Sequence, residues 1–178
     1  MPIENERKYV LNIDTPENIF MENADSFEEI EQIYLMCDKK QSIRIRKSII
    51  FKTKTKPEIK YTFTFKQDVN KQTVEIETVI DKKDYDMLSK EYVSKLKKIR
   101  YRLGNWEVDF FKKNDITYFV QAEIELPEEE KKPKEIPSLI LQYIIHYVKK
   151  NDGRFSSKKL GDFRYAKQIM QTLLVEIQ

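Results

Sequence analysis

The sequence predicts an α+β fold built around a largely antiparallel sheet. Eight segments alternate apolar and polar residues with a period of two, which is typical of strands with one buried face. Most of them are joined by short polar turns, such as Gly104-Asn105, and strands joined by hairpins run antiparallel. Apolar residues at helical spacing occur only between and after these segments. We therefore expect the strands to share one sheet and the helices to pack on its apolar face.

The candidate strands are best seen in chain order. Strict alternation is clearest in Ser42–Lys47, where both isoleucines share one face and both arginines the other. The eight segments are Ile3–Leu11, Ile30–Cys37, Ser42–Lys47, Ile59–Lys66, Thr73–Val79, Lys97–Leu103, Trp106–Phe111 and Thr117–Leu126.

Helices are predicted at four places. A helix or loop begins near Asp14 to Glu17 and continues to about Glu28, and Asp81 caps a helix with an apolar side at Tyr85, Leu88 and Tyr92. Apolar residues from Ile136 to Val148 follow the spacing of an amphipathic helix. Asp162 can cap a last helix from about Phe163. We predict one domain over residues 1–178, ending in this C-terminal helix.

Composition excludes several classes of site. With three glycines and one histidine among 178 residues, a glycine-rich phosphate loop, a histidine-based metal site and a Ser-His-Asp triad are not expected. The single cysteine rules out an internal disulfide and fits a reducing compartment. No apolar run approaches the roughly 20 residues of a membrane span. We expect a cytoplasmic protein with no membrane partner, and the oligomeric state, monomer or homodimer, stays open.

The polar faces of the strands carry charges at spacing two. On the same strands, the other face is apolar, as in Tyr61, Phe63 and Phe65. The cationic set is Lys8, Arg44, Arg46, Lys66, Lys98, Arg100 and Arg102, and the anionic set is Glu4, Glu6, Glu75, Glu77, Asp109, Glu123 and Glu125.

Two architectures account for these faces. In one, an antiparallel sheet packs its apolar face on helices and turns its charged face to water. In the other, eight strands close into a barrel, with apolar faces outward under the helices and charges lining the interior. Like charges at spacing two, as in Arg44 and Arg46, are about 7 Å apart on a strand and mildly destabilising on an open face. This favours the charged interior without excluding the open sheet.

A charged interior needs ligands that neutralise it. Clustered arginines and lysines suit phosphate oxygens. Clustered carboxylates without histidine or cysteine suit a hard cation, Mg²⁺ or Mn²⁺. A polyphosphate with a divalent metal ion satisfies both sets, and the chemistry would be phosphoryl transfer to water.

The order of these motifs resembles the CYTH superfamily, the triphosphate tunnel metalloenzymes. Glu4-Asn5-Glu6-Arg7-Lys8 is similar to the family's Glu-x-Glu-x-Lys signature. The motifs that follow in family order are Arg44-x-Arg46, Lys66, Glu75-x-Glu77, Lys98-x-Arg100, Trp106 to Asp109, and Glu123-x-Glu125. The likeness covers residues 1 to about 161. Ser157 and Gly161 depart from it, since asparagine and alanine are usual there.

The resemblance implies an eight-stranded antiparallel tunnel that holds a triphosphate and Mg²⁺ or Mn²⁺. By this likeness, the metal ligands would be Glu4, Glu6 and Glu125, with Glu123 and Asp109 at the same or a second metal ion. The phosphate-binding residues would be Lys8, Arg44, Arg46, Lys66, Lys98 and Arg100, with Lys158 at the tunnel mouth. Glu75 and Glu77 would orient the cations or the attacking water, and Glu4, Glu6, Lys8 and Asp109 would complete the catalytic set.

The expected activity is hydrolysis of inorganic tripolyphosphate or a nucleoside triphosphate. Adenylate cyclase, thiamine triphosphatase and RNA 5′-triphosphatase are alternatives within the family, so an RNA 5′ end is a further candidate partner. A non-catalytic polyphosphate- or RNA-binding module is the alternative of another class. The C-terminal helix is expected to lie across one end of the tunnel.

Overall fold

The computed structural model describes residues 5–52, 55–70, 72–150 and 152–176. Its strands are β1 (Glu6–Leu11), β2 (Ser26–Cys37), β3 (Gln41–Lys52), β4 (Glu58–Val69), β5 (Gln72–Val79), β6 (Ser94–Leu103), β7 (Trp106–Lys113), β8 (Ile116–Glu125) and β9 (Ile144–Tyr147). Its helices are α1 (Glu17–Asn23), α2 (Lys82–Leu88), α3 (Ser138–Leu141), α4 (Ser157–Leu160) and α5 (Phe163–Glu176).

All nine strands belong to one antiparallel sheet, in the order β5-β4-β3-β2-β6-β7-β8-β1-β9. The expected α+β class with an antiparallel sheet is therefore confirmed. Closure into an eight-stranded barrel is not observed in the described residues: the sheet is open, with β5 and β9 as its edges. The reason is that β1 takes β9, and not β5, as its second neighbour.

The prediction of one amphipathic helix from Ile136 to Val148 is wrong. Only Ser138–Leu141 is helical, and Ile144–Tyr147 forms β9 and pairs with β1, with Tyr147 opposite Tyr9. The apolar spacing in this segment fits a helix, but two adjacent isoleucines also favour a strand. The hydrogen bonds offered by the free edge of β1 settled the choice.

The outer, apolar face of the sheet packs under helices and loops. One core cluster, which includes Phe20, Tyr101 and Phe110, lies on this outer face. A second cluster includes Phe111 and Phe119, which pair across β7 and β8 and share the inner face with Asp109. The α5 helix covers the second cluster through Ala166, Met170 and Leu173 and lies against β8. None of its described side chains lines the cavity discussed below, and the expectation that this helix crosses a tunnel end stays a prediction.

Local capping signals agree with the structure. Asp81 Oδ1 accepts a hydrogen bond from Asp84 N at 2.8 Å, and Asp162 Oδ1 accepts one from Arg164 N at 2.9 Å. Within the described residues, no helix is long and apolar enough to cross a membrane.

Candidate functional site

The inner face of the sheet encloses a cavity of about 1060 Å³. Every strand from β1 to β8 contributes to its lining, so the sheet curls far enough for β1 and β5, which have six strands between them, to face the same space. Its lining carries twelve lysines and arginines against eight carboxylates. Such an excess of positive charge in a confined space favours an anionic ligand.

Strand register brings opposite charges together across neighbouring strands. Lys66 on β4 lies opposite Glu75 on β5, with 2.7 Å between Nζ and Oε2. Lys8 on β1 lies opposite Glu123 on β8, with 3.3 Å between Nζ and Oε1. A tight turn at Gly104, which has a φ of 58° that favours glycine, sets the β6–β7 register. These pairs hold the cavity walls in a defined arrangement.

Asp109 sits behind the cavity wall, fully buried on β7. Its Oδ1 accepts from Arg100 Nε at 2.7 Å, and its Oδ2 accepts from Arg100 Nη2 at 2.7 Å and from Lys98 Nζ. Burial raises the pKa of this carboxyl, but the Arg100 and Lys98 charges outweigh burial and lower the pKa. Asp109 is not among the residues that line the cavity. As a carboxylate it orients Lys98 and Arg100, which do line it.

Two carboxylates, Glu6 on β1 and Glu123 on β8, meet beside this group with Lys8 between them, and Arg100 Nη2 lies 3.2 Å from Glu123 Oε2. Lys8 Nζ lies 2.8 Å from Glu6 Oε2, and the Glu6 and Glu123 carboxyl groups interact directly. Burial alone would raise the pKa of Glu123, but the charges of Lys8, Arg100 and Lys98 hold it well below its usual range. Glu123 is therefore ionised at neutral pH, and the two side chains together offer hard oxygen ligands.

The cations on β3 and β6 are crowded. Burial, followed by the charges of Arg44 and Arg100, lowers the pKa of Arg46 to about 10. Burial and the Arg100 charge lower the pKa of Lys98 to about 8. Within the described residues, Arg46 forms no ion pair, and its guanidinium donates only to Gln32 Oε1, at 3.2 and 3.3 Å. Arg44 Nε is buried and has no hydrogen-bond partner among the described residues.

Glu75 and Glu77 share one face of β5 but have different partners. Glu75 contacts both Lys66 and Arg44, and these charges lower its pKa although burial would raise it. Glu77 Oε2 accepts a hydrogen bond from Thr64 Oγ1 at 3.0 Å. Among the described residues it forms no ion pair, so Glu75 holds cations while Glu77 keeps its charge available to a ligand or a water.

Most of the site residues proposed from the sequence line this one cavity. Those that do are Glu6, Lys8, Arg44, Arg46, Lys66, Glu75, Glu77, Lys98, Arg100, Glu123 and Lys158. Asp109 lies behind the wall, and Glu125 is exposed at the end of β8, where its Oε1 accepts from Asn5 N at 2.6 Å. Glu4 lies outside the described residues. The roles assigned to these residues stay predictions.

Several residues of the cavity were not proposed from the sequence. Glu107 pairs with both Arg100 and Arg102, and its place two residues before Asp109 was the available signal. Tyr34 lines the cavity and accepts a hydrogen bond from the buried Gln32 at 2.7 Å. Neither Gln32 nor Tyr34 is charged, so the charge pattern did not include them.

Comparison with known proteins gives a limited result. No protein-family model matches the chain, and no curated protein matches it in sequence. A solved structure of a conserved hypothetical protein from Pyrococcus furiosus is 21% identical, with 71% of this chain and 81% of that chain covered and a TM-score of 0.45. A Vibrio parahaemolyticus protein named "putative adenylate cyclase" is 16% identical, with 71% and 78% covered and a TM-score of 0.42. Likenesses this distant assign neither a family nor an activity to this chain.

Proposed function

We propose that the cavity binds the phosphate chain of a triphosphate and that the protein hydrolyses it with the help of Mg²⁺ or Mn²⁺, as expected of a triphosphate tunnel enzyme. The observation that carries the proposal is Arg46. A guanidinium beside two other arginines, without a carboxylate partner among the described residues, is costly unless an anion binds there. Phosphate oxygens fit its fork of donors.

The length of the cationic surface supports a chain of phosphates over a single one. Arg46 and Arg44 lie on β3, Lys98 and Arg100 lie on β6, and Lys158 reaches the cavity from α4. One orthophosphate has fewer oxygens than this set has cations. A triphosphate offers an oxygen to each of them.

The carboxylates Glu6 and Glu123 fit a divalent metal ion. Within the described residues no group of three acidic, histidine or cysteine side chains is placed to hold a metal ion. Mg²⁺ is commonly bound by one or two carboxylates, with phosphate oxygens and water as its other ligands. The ion would stabilise negative charge on the phosphoryl oxygens.

The remaining residues supply position and a proton acceptor. Arg46, Lys98 and Arg100 would hold the non-bridging oxygens in line for attack. Glu77, without an ion-pair partner in the described chain, would orient a water and accept its proton as the oxygen bonds to the terminal phosphorus. The bond to the bridging oxygen breaks at that phosphorus, and orthophosphate and the shortened phosphate chain leave. Glu75 keeps Lys66 and Arg44 in place.

The test compares Arg46→Ala with Lys47→Ala. Lys47 is the next residue on β3, points to the other face and does not line the cavity. Tripolyphosphate affinity, measured by calorimetry, should fall about 10- to 100-fold in Arg46→Ala, the loss expected for hydrogen bonds to a charged group. It should be unchanged in Lys47→Ala, and orthophosphate affinity should fall less than tripolyphosphate affinity in Arg46→Ala.

Activity is followed as orthophosphate release from tripolyphosphate and from nucleoside triphosphates, with Mg²⁺, with Mn²⁺ and with a chelator. The proposal expects release that the chelator abolishes. Formation of cyclic AMP and pyrophosphate from ATP would show that the reaction is cyclisation and not hydrolysis. Tight binding without turnover under either metal ion would make the protein a binding module.

A further inference from the structure

A second groove, of about 510 Å³, lies at the β9 edge of the sheet. It is built by the start of β1, by β9 and the residues after it, and by the connector that follows β8. Its basic side chains include Arg7, Lys131 and Lys150, and no aspartate or glutamate is among the described residues that line it. The groove therefore differs from the cavity, where many cations face carboxylates.

Of the four basic residues that line this groove, Lys8 is paired with Glu6 and Glu123, and the other three are not neutralised by a carboxylate among the described residues. Arg7 Nε donates to the main-chain oxygen of Lys131 at 2.8 Å, and Arg7 Nη1 donates to the main-chain oxygen of Glu6 at 2.9 Å and to Asn5 Oδ1 at 3.0 Å. Lys150 Nζ donates to the same Asn5 oxygen at 3.3 Å. In the described part of the chain, Arg7, Lys131 and Lys150 form no salt bridge. Their charges stay available to an anion.

An exposed aromatic ring completes the groove. Tyr147 keeps 60% of its surface exposed, although it lies within a strand. Its ring meets the ring of Tyr9 at 75°, with 5.4 Å between the centroids, and Tyr9 packs in turn against Trp106 at 5.3 Å. The ring of Tyr147 is thus held by its contact with Tyr9, while much of its surface stays open to solvent. A tyrosine that served only the apolar core would not need this exposed surface.

We infer that this groove, formed by Arg7, Lys131, Tyr147 and Lys150, binds single-stranded nucleic acid. Cations without carboxylate partners suit a phosphodiester backbone, and an exposed, supported aromatic ring suits a stacked base. Inorganic polyphosphate would use the cations but gain nothing from Tyr147. The groove also shares Lys150 and Val148 with the cavity mouth, so a bound strand can extend toward it.

The test uses fluorescein-labelled oligo(U) and oligo(dT) of about 10 nucleotides, each with a 5′-hydroxyl so that no triphosphate is present. Binding is measured by fluorescence anisotropy at several salt concentrations. Tyr147→Ala should weaken binding about 5- to 100-fold, the effect of one lost stacking contact. Tyr92→Ala is the matched control, since Tyr92 is 56% exposed and lies outside the groove. Tyr147→Phe keeps the ring and should bind like wild type.

A second pair of variants reports on the backbone contact. Lys131→Ala should reduce the slope of log affinity against log salt by about 0.7, the value for one phosphate contact to a single strand. Lys132→Ala changes the adjacent residue, which is exposed and does not line the groove, and should leave the slope unchanged. Both lysines lie in a connector outside the strands and helices, so these variants remain informative if Tyr147→Ala unfolds.

Three results would overturn the inference. One is absence of binding for both oligonucleotides at low salt. Another is equal binding by the variants Tyr147→Ala and Tyr92→Ala, which would indicate general attraction to a polyanion. The third is complete displacement of the oligonucleotide by tripolyphosphate at concentrations that just saturate the cavity, which would place the strand in the cavity. If the protein binds the oligonucleotides as expected but does not hydrolyse triphosphates, the proposed activity is refuted and the inference about this groove stands.

Discussion

Replacing Asp109 with asparagine is the most direct test of the charge arrangement behind the cavity. The substitution keeps the size of the side chain but removes the fully buried negative charge between Lys98 and Arg100. One oxygen remains as an acceptor, while the new amide group faces cations that it cannot accept from. Breaking a buried ion pair from one side typically costs about 3–5 kcal/mol. We therefore expect the free energy of unfolding to fall by about 3–5 kcal/mol.

The measurement is urea and thermal unfolding in phosphate-free buffer, because an anion in the cavity could replace part of the lost charge. For a chain of this size, the expected loss lowers the melting temperature by roughly 10 °C. The control is Asp86→Asn, which removes an aspartate paired with Lys82 on the surface and should leave the unfolding midpoint unchanged. A loss below about 1 kcal/mol in Asp109→Asn would refute the claim that Asp109 balances buried cations.

Four further outcomes are expected. Tripolyphosphate affinity should fall as pH rises through about 8, because Lys98 loses its positive charge there; an equally steep fall in Lys98→Met would assign the effect to another group. Glu6→Gln should lower metal affinity, and with it turnover, by at least about 10- to 100-fold in a metal titration, and wild-type turnover at equal metal concentration would contradict a ligand role. Glu77→Gln should reduce kcat with little change in KM, whereas a change in KM alone would mean that Glu77 only contacts substrate. Met170→Ala should cost about 2–5 kcal/mol of unfolding free energy, because Met170 on α5 is buried in the second core cluster, while the exposed Gln171→Ala should cost little in the same assay.

Much of the candidate site could be predicted from local pattern. The alternation in Ser42–Lys47 puts Arg44 and Arg46 on one face in any extended conformation, and the same holds for Lys98 and Arg100. Eleven of the proposed residues consequently line one cavity.

Two kinds of error had a physical cause. The segment from Ile136 to Val148 carries apolar residues that suit a helix and a strand alike, and its fate depended on the free edge of β1 more than 130 residues earlier. Closure of the sheet likewise depends on which strands pair at its two edges. No local sequence pattern in β5 or β9 predicts that pairing. Strand pairing over long separations is decided by tertiary packing.

The sequence by itself determined which charges share a strand face, because side chains alternate along any extended backbone. Only the tertiary structure decided which of those charges are neutralised, because that depends on register and strand order. Asp109 is held behind the cavity by Lys98 and Arg100, while Arg46, on an equally charged face, has no ion-pair partner in the described chain. That difference, which no single strand contains, is what turns a charged sheet face into a candidate phosphate site.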